Sequence, residues 1–168
     1  NFKAKLLEAI QQTGIKSIAG NLVIDDSYFD FQNVPGGWPW DDMGNYYGAG
    51  VWGVNWRENQ FDLKMMGNSV LNTTIELPNL KWVSEVKAAG NSDQSLIFTA
   101  PHSDVALING SLPAGKTMTV SGSTPNPPLA LGYEIRQWLK ESKIDFHGEI
   151  LTASGERTIG KSIPSFSK

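Results

Sequence analysis

The sequence predicts an α+β fold: layered β-sheets with helices packed on one side, a β/β/α-like arrangement, carrying a β-rich insertion. Three observations predict it. Apolar residues recur at helical spacing near both ends, the middle alternates apolar with polar residues as half-buried strands do, and each helical stretch leads into a similar strand-forming segment.

At the start, Phe2, Leu6, Ala9 and Ile10 fall at helical spacing, with Lys3, Lys5, Gln11 and Gln12 opposite, and Gly14 ends the turn. The second helix is marked by Asn126 as N-cap, by Pro127 and Pro128 in first-turn positions whose N–H groups have no helical partner, and by a stripe of Leu131, Ile135, Trp138 and Leu139. Ile15 and then Gly20-Asn21-Leu22-Val23-Ile24 follow the first helix; Ile144 and then Gly148-Glu149-Ile150-Leu151 follow the second. This reads as one helix–turn–strand unit used twice, as two equivalent layers of one domain.

Between them, Trp52, Val54 and Trp56 alternate with Gly53 and Asn55, and after Arg57-Glu58-Asn59-Gln60 the alternation resumes as Phe61, Leu63 and Met65. The pattern predicts a hairpin with one buried face. Further strands are expected at Thr74–Leu77, Trp82–Val86, Leu96–Thr99, Val105–Ile108 and Thr117–Val120, with Gly90-Asn91-Ser92-Asp93, Asn109-Gly110 and Pro113-Ala114-Gly115 as turns. The domain division expected is a framework of residues 1–66 and 114–168 around a β-rich subdomain of 67–113.

Composition narrows the function. The 168 residues hold 14 basic and 17 acidic side chains, a net charge of −3, which argues against nucleic-acid binding because such proteins gather a basic surplus on one face. No run of 18 apolar residues offers a membrane span. With no cysteine, disulfides and thiolate metal sites are excluded. The chain starts at Asn1 without a basic-then-apolar leader, as a processed chain or a fragment of a longer one would.

Several motifs have plain readings. Gly48-Ala49-Gly50-Val51-Trp52-Gly53 fits the dinucleotide-binding pattern but follows an aromatic loop where that chemistry needs a strand and then a helix, so it reads as a glycine-lightened strand. Ser84-Glu85-Val86-Lys87 and Ser165-Phe166-Ser167-Lys168 fit S-x-x-K, in which a Lys one helical turn away takes the Ser proton. The first lies in a strand pattern, where residues three apart point to opposite faces, and the second has no chain left for a helix. There is no Ser-x-Asn and no Lys-Thr-Gly. His102 and His147 read as a solvated loop residue and a strand-surface residue.

Residues 25–50, DDSYFDFQNVPGGWPWDDMGNYYGAG, fit neither period and hold five acidic residues and seven aromatics. Tryptophan rings beside carboxylates can bind a cationic group or a sugar face; they can equally form an ordered cover over a sheet edge, with Asp25, Asp26, Asp41 and Asp42 capping turns.

Here a family resemblance enters. The run Ile18-Ala19-Gly20-Asn21-Leu22-Val23-Ile24-Asp25-Asp26-Ser27-Tyr28-Phe29, then Gly37-Trp38-Pro39-Trp40-Asp41-Asp42, then Tyr47-Gly48-Ala49, resembles the class C low-molecular-mass penicillin-binding proteins, the D-alanyl-D-alanine carboxypeptidase/endopeptidases of bacterial cell-wall maintenance. Pro127-Pro128-Leu129-Ala130 and Gly148-Glu149-Ile150 follow that family's order. The resemblance implies that this chain is the inserted, non-catalytic region, with the catalytic domain and its S-x-x-K, Ser-x-Asn and Lys-Thr-Gly motifs on either side. It implies a periplasmic or cell-surface location, a peptidoglycan stem peptide and the catalytic domain of the same polypeptide as partners, and neither cofactor nor metal. By alignment it implies that Asp42, Tyr47 and Trp40, with Trp38 as the alternative indole, receive the free amino end of the stem peptide's side chain. The family commonly has Ser where this chain has Gly48, a change not expected to alter the chemistry. The rival reading is a free-standing glycan- or protein-binding module.

Overall fold

The computed structural model describes residues 2–154. Both long helices form where the periodicity puts them: α1 spans Phe2–Gln12 and α3 spans Pro127–Glu141. Gly14 takes a φ of +74°, the left-handed conformation that lets the chain leave α1 without a Cβ penalty. The Asn126 side chain accepts a hydrogen bond from the Leu129 N–H at 3.0 Å, so one of the orphan donors of α3 is capped.

The two helix–strand units turn out to pair edge to edge and do not stack as separate layers. Strand β1 (Ser17–Ile18) lies parallel to β9 (Asp145–Phe146), and β2 (Leu22–Ile24) lies parallel to β10 (Ile150–Thr152). Short strands of this kind leave most of the holding to side chains. Ile24, Leu131, Ile135, Trp138, Leu139 and Ile144 form a buried core, with Leu6, Ile10 and Trp56 against its edge. Phe2, Trp56 and Trp138 add edge-to-face contacts with ring centres 5.8–6.1 Å apart.

The β-rich part is two three-stranded sheets. In one, β3 (Gln60–Met66) is flanked by β4 (Ser69–Thr73) and β8 (Thr117–Ser123), all antiparallel. In the other, β7 (Val105–Leu112) lies between β5 (Lys81–Ala88), its parallel neighbour, and the antiparallel β6 (Leu96–Phe98). Phe61, Leu63 and Met65 point inward as the alternation requires, and meet Val86, Ile97, Ile108, Leu112 and Val120 in a second core. Residues 60–66 and 117–123, placed with the framework by the sequence reading, thus share their core with the β-rich part.

Four local expectations are corrected. Residues 52–56 form no strand, and the hairpin of β3 is made with β4 on its other side. The cause lies in the polar residues that follow. Arg57, Glu58 and Asn59 all have φ between +50° and +57°, and Asn59 closes this turn by donating to the Gly50 carbonyl (2.8 Å) and accepting from the Trp56 N–H (3.0 Å). Asn55 likewise bonds the backbone of Trp52, at 2.9 and 3.2 Å, which takes up groups a ladder would need. Thr74–Leu77 is not a strand, since β4 comes earlier. Asn109-Gly110 is no turn but lies within β7, where Gly110 adopts a φ of +111°. Gly48, Gly50 and Gly53 are not in a strand either; a Cβ at any of them would collide with backbone, of Asp42, Asn33 and Asp26 respectively.

Ser84 and Lys87 sit on β5 with Ser84 on the inward side and Lys87 exposed, as strand geometry demands. Ser165–Lys168 lies outside the described residues.

Candidate functional site

The acidic, aromatic stretch is ordered by side chains that bond to backbone. Asp25 caps a turn, accepting from the N–H and hydroxyl of Ser27 at 3.1 and 2.6 Å. Buried Asp26 accepts from the Ser154 N–H at 2.8 Å and from its hydroxyl, tying the start of the stretch to the end of β10. Asn33, also buried, closes a neck. The Val51 N–H donates to its carbonyl at 3.0 Å and its amide donates to the Val51 carbonyl at 3.2 Å.

His102 braces this neck, and so is not the solvated loop residue expected from the sequence. Its ring stacks on Phe31 with centres 4.1 Å apart and planes 8° from parallel, lies 4.7 Å from Trp52, and places Nε2 3.0 Å from Asn33 Oδ1. Burial lowers its pKa below the ordinary 6.5, opposed by the nearby Asp26 carboxylate. His147 is exposed just past β9.

Inside the neck, Pro39 precedes the short helix α2 (Trp40–Met43), and Tyr46–Gly48 form a single 3₁₀ turn. These two turns face each other closely because Gly48 has no side chain. A Cβ there would strike the Asp42 carbonyl and come within 2.9 Å of Met43 Cα. The result is an open recess lined by Trp38, Pro39, Asp42, Tyr47 and Gly48, enclosing about 370 Å³, part of it open solvent.

Asp42 is half-buried and Tyr47 is 53% exposed. The Tyr47 hydroxyl has its pKa raised above the ordinary phenol value, first by partial desolvation, then by the charges of Asp42 and Asp41 and by Tyr46. It therefore stays a neutral phenol at physiological pH. A carboxylate with ring faces beside it suits an ammonium group, which gains a charge-assisted hydrogen bond from the first and attraction to the ring quadrupole from the others.

Of the residues named from the sequence, Asp42 and Tyr47 meet at this recess. The Trp40 ring lies beside Phe98, with centres 6.2 Å apart, while Trp38 lines the recess. The sequence reading missed Asn33 and Asn45 and misread His102. Asparagine in a loop does signal side-chain-to-backbone bonding. The His102–Asn33 and Asn45–Ile97 partners, however, are 69 and 52 residues apart, beyond any local pattern.

Comparisons with known proteins agree with this fold. No curated protein matches the chain. Two crystal structures of penicillin binding protein 4 (dacB) from Haemophilus influenzae, one of them complexed with a novel β-lactam, are similar to it. Their TM-scores are 0.65 and 0.51 at 22% and 18% identity, each over 89% of this chain. The chain spans about a third of those proteins, 35% and 33% of their lengths. In sequence, residues 3–161 match D-Ala-D-Ala carboxypeptidase 3. With nearly the whole chain matched, it belongs to the D-Ala-D-Ala carboxypeptidase 3 (S13) family.

Proposed function

We propose that this segment is the non-catalytic, substrate-presenting part of a serine-type D-Ala-D-Ala carboxypeptidase/endopeptidase that acts on peptidoglycan stem peptides at the cell surface or in the periplasm. The observation that supports the reading is the recess lined by Asp42, Tyr47 and Trp38 together. Asp42 holds the ammonium at the end of the stem peptide's side chain, Tyr47 and the indole of Trp38 or Trp40 cover it, and the peptide is thereby fixed over a cleft in the catalytic domain of the same polypeptide. There a serine attacks the carbonyl of the penultimate D-Ala and the terminal D-Ala leaves. This chain has no Ser-x-Asn or Lys-Thr-Gly, and its Ser84 and Lys87 point to opposite faces of a strand, so the chemistry belongs to the rest of the enzyme.

The test is Asp42→Ala in the full-length enzyme. A hydrogen bond to a charged group contributes about 1.5–3 kcal/mol, so KM for a stem peptide with a free side-chain amine should rise roughly 10–100-fold. A peptide acetylated at that amine should be turned over as before. An unchanged ratio between the two peptides would sink the assignment.

A further inference from the structure

The helix that bears Asp42 is one turn long and has no side-chain cap at its start. Isolated helices of this length do not persist in water, so something outside it must hold it. Its C-terminal carbonyls show what does. The Asn45 amide donates to the Asp41 carbonyl at 2.5 Å, and the Asn45 N–H donates to the Asp42 carbonyl at 3.1 Å. The Ser123 hydroxyl donates to the Met43 carbonyl, and the Ser123 N–H to the Gly44 carbonyl at 3.0 Å.

Asn45 is 4% exposed, and its remaining acceptor, Oδ1, takes the N–H of Ile97 on β6 at 3.0 Å. Its backbone also bridges to Gly122 of β8. Gly44 permits this approach, since a Cβ there would collide with the backbone of Ile97 and Thr99. The turn is thus fastened to both sheets of the β-rich part, through a side chain that reaches Asp41 and β6 together.

We propose that Asn45 is the positioning residue of this site, fixing the Asp42 carboxylate relative to the β-sheets so that an ammonium meets it without reorganisation. It touches no substrate atom and acts through Asp42. The proposal rests on the ammonium-binding reading above. Removing the Asn45 amide takes away its bonds to the Asp41 carbonyl and the Ile97 N–H and lets the turn drift; a misplacement of about 1 Å can cost up to ~10²-fold in such sites.

The experiment compares Asn45→Ala, Asp42→Ala and the double variant in the full-length enzyme. The substrates are the stem pentapeptide with a free side-chain amine and the same peptide acetylated at that amine. Asn45→Ala should raise KM about tenfold for the free-amine peptide with kcat within about twofold, leave the acetylated peptide unchanged, and add nothing in the Asp42→Ala background. Equal losses on both peptides, or an effect that persists without Asp42, would reduce Asn45 to a folding residue and overturn the proposal. If Asp42→Ala discriminates between the peptides and Asn45→Ala does not, only the role of Asn45 falls. If Asp42→Ala fails to discriminate, the ammonium reading falls and this proposal with it. Should Asn45→Ala not fold, Ser123→Ala removes a single hydroxyl bond to the same turn. It should give about a threefold rise on the free-amine peptide alone, and no rise would again overturn the proposal.

Discussion

In the β-rich part, Leu63, Met65, Ile97 and Ile108 are wholly buried, and the backbone of β3 and β7 is paired with strands on both sides. Between Asn33 and Val51 the chain makes a single isolated bridge, exposes Trp40, Tyr46 and Tyr47 by about half, and keeps its shape through Asn33, Asn45 and Ser123 bonding to backbone. One region is held by apolar burial, which is non-directional and tolerates a wide range of sequences of similar volume. The other is held by directional hydrogen bonds and by glycines with no room for a Cβ, so few sequences can adopt it. The sheets give the turn a fixed base, and the turn leaves Trp40, Tyr46 and Tyr47 about half exposed.

The contrast can be tested by damaging each side in turn. The largest effect on stability is expected from Leu63→Ala, at a position with no exposure; buried Leu→Ala changes cost about 2–5 kcal/mol, readable as a lower urea midpoint. A cost below about 1 kcal/mol would show that the two sheets do not share one tight core. Next comes Gly48→Ala. Its Cβ meets the Asp42 backbone, so the change should cost about 1–3 kcal/mol and, unlike Leu63→Ala, also weaken binding of the free-amine peptide. Wild-type behaviour in both assays would mean that the two facing turns can separate freely, against the directional packing described here.

The smallest effect is a pH dependence at the neck. The pKa of His102 in the folded protein lies below the unfolded value near 6.5, so the unfolded chain binds the proton more readily. The stability His102 contributes is then fully present above about 7 and is lost as pH falls through 6.5 toward the lowered folded value. Unfolding midpoints of the wild type and His102→Gln, measured from pH 7.5 to 5, should converge as pH falls. A constant gap would mean that the ring is not desolvated between Phe31 and Trp52.

What the sequence alone determined is what depends on neighbours in the chain. The end of α1, the start of α3 with its Asn126 cap and the inward set Phe61, Leu63 and Met65 all follow from spacings of two to four residues. The family resemblance singled out Asp42 and Tyr47 by alignment alone, and the two line one recess. Tertiary structure alone decided the rest. Residues 52–56 alternate as a strand should, yet Asn55 and Asn59 bond their backbone away. The helix–strand units look like separate layers until Leu22–Ile24 lies beside Ile150–Thr152, more than a hundred residues later. That Trp38 lines the recess with Asp42, and that Asn45 reaches Ile97, depend on distances across the fold. Local propensity acts over a turn or a strand pair. A one-turn helix has too few bonds of its own to choose a conformation, so the sheets packed against it make that choice.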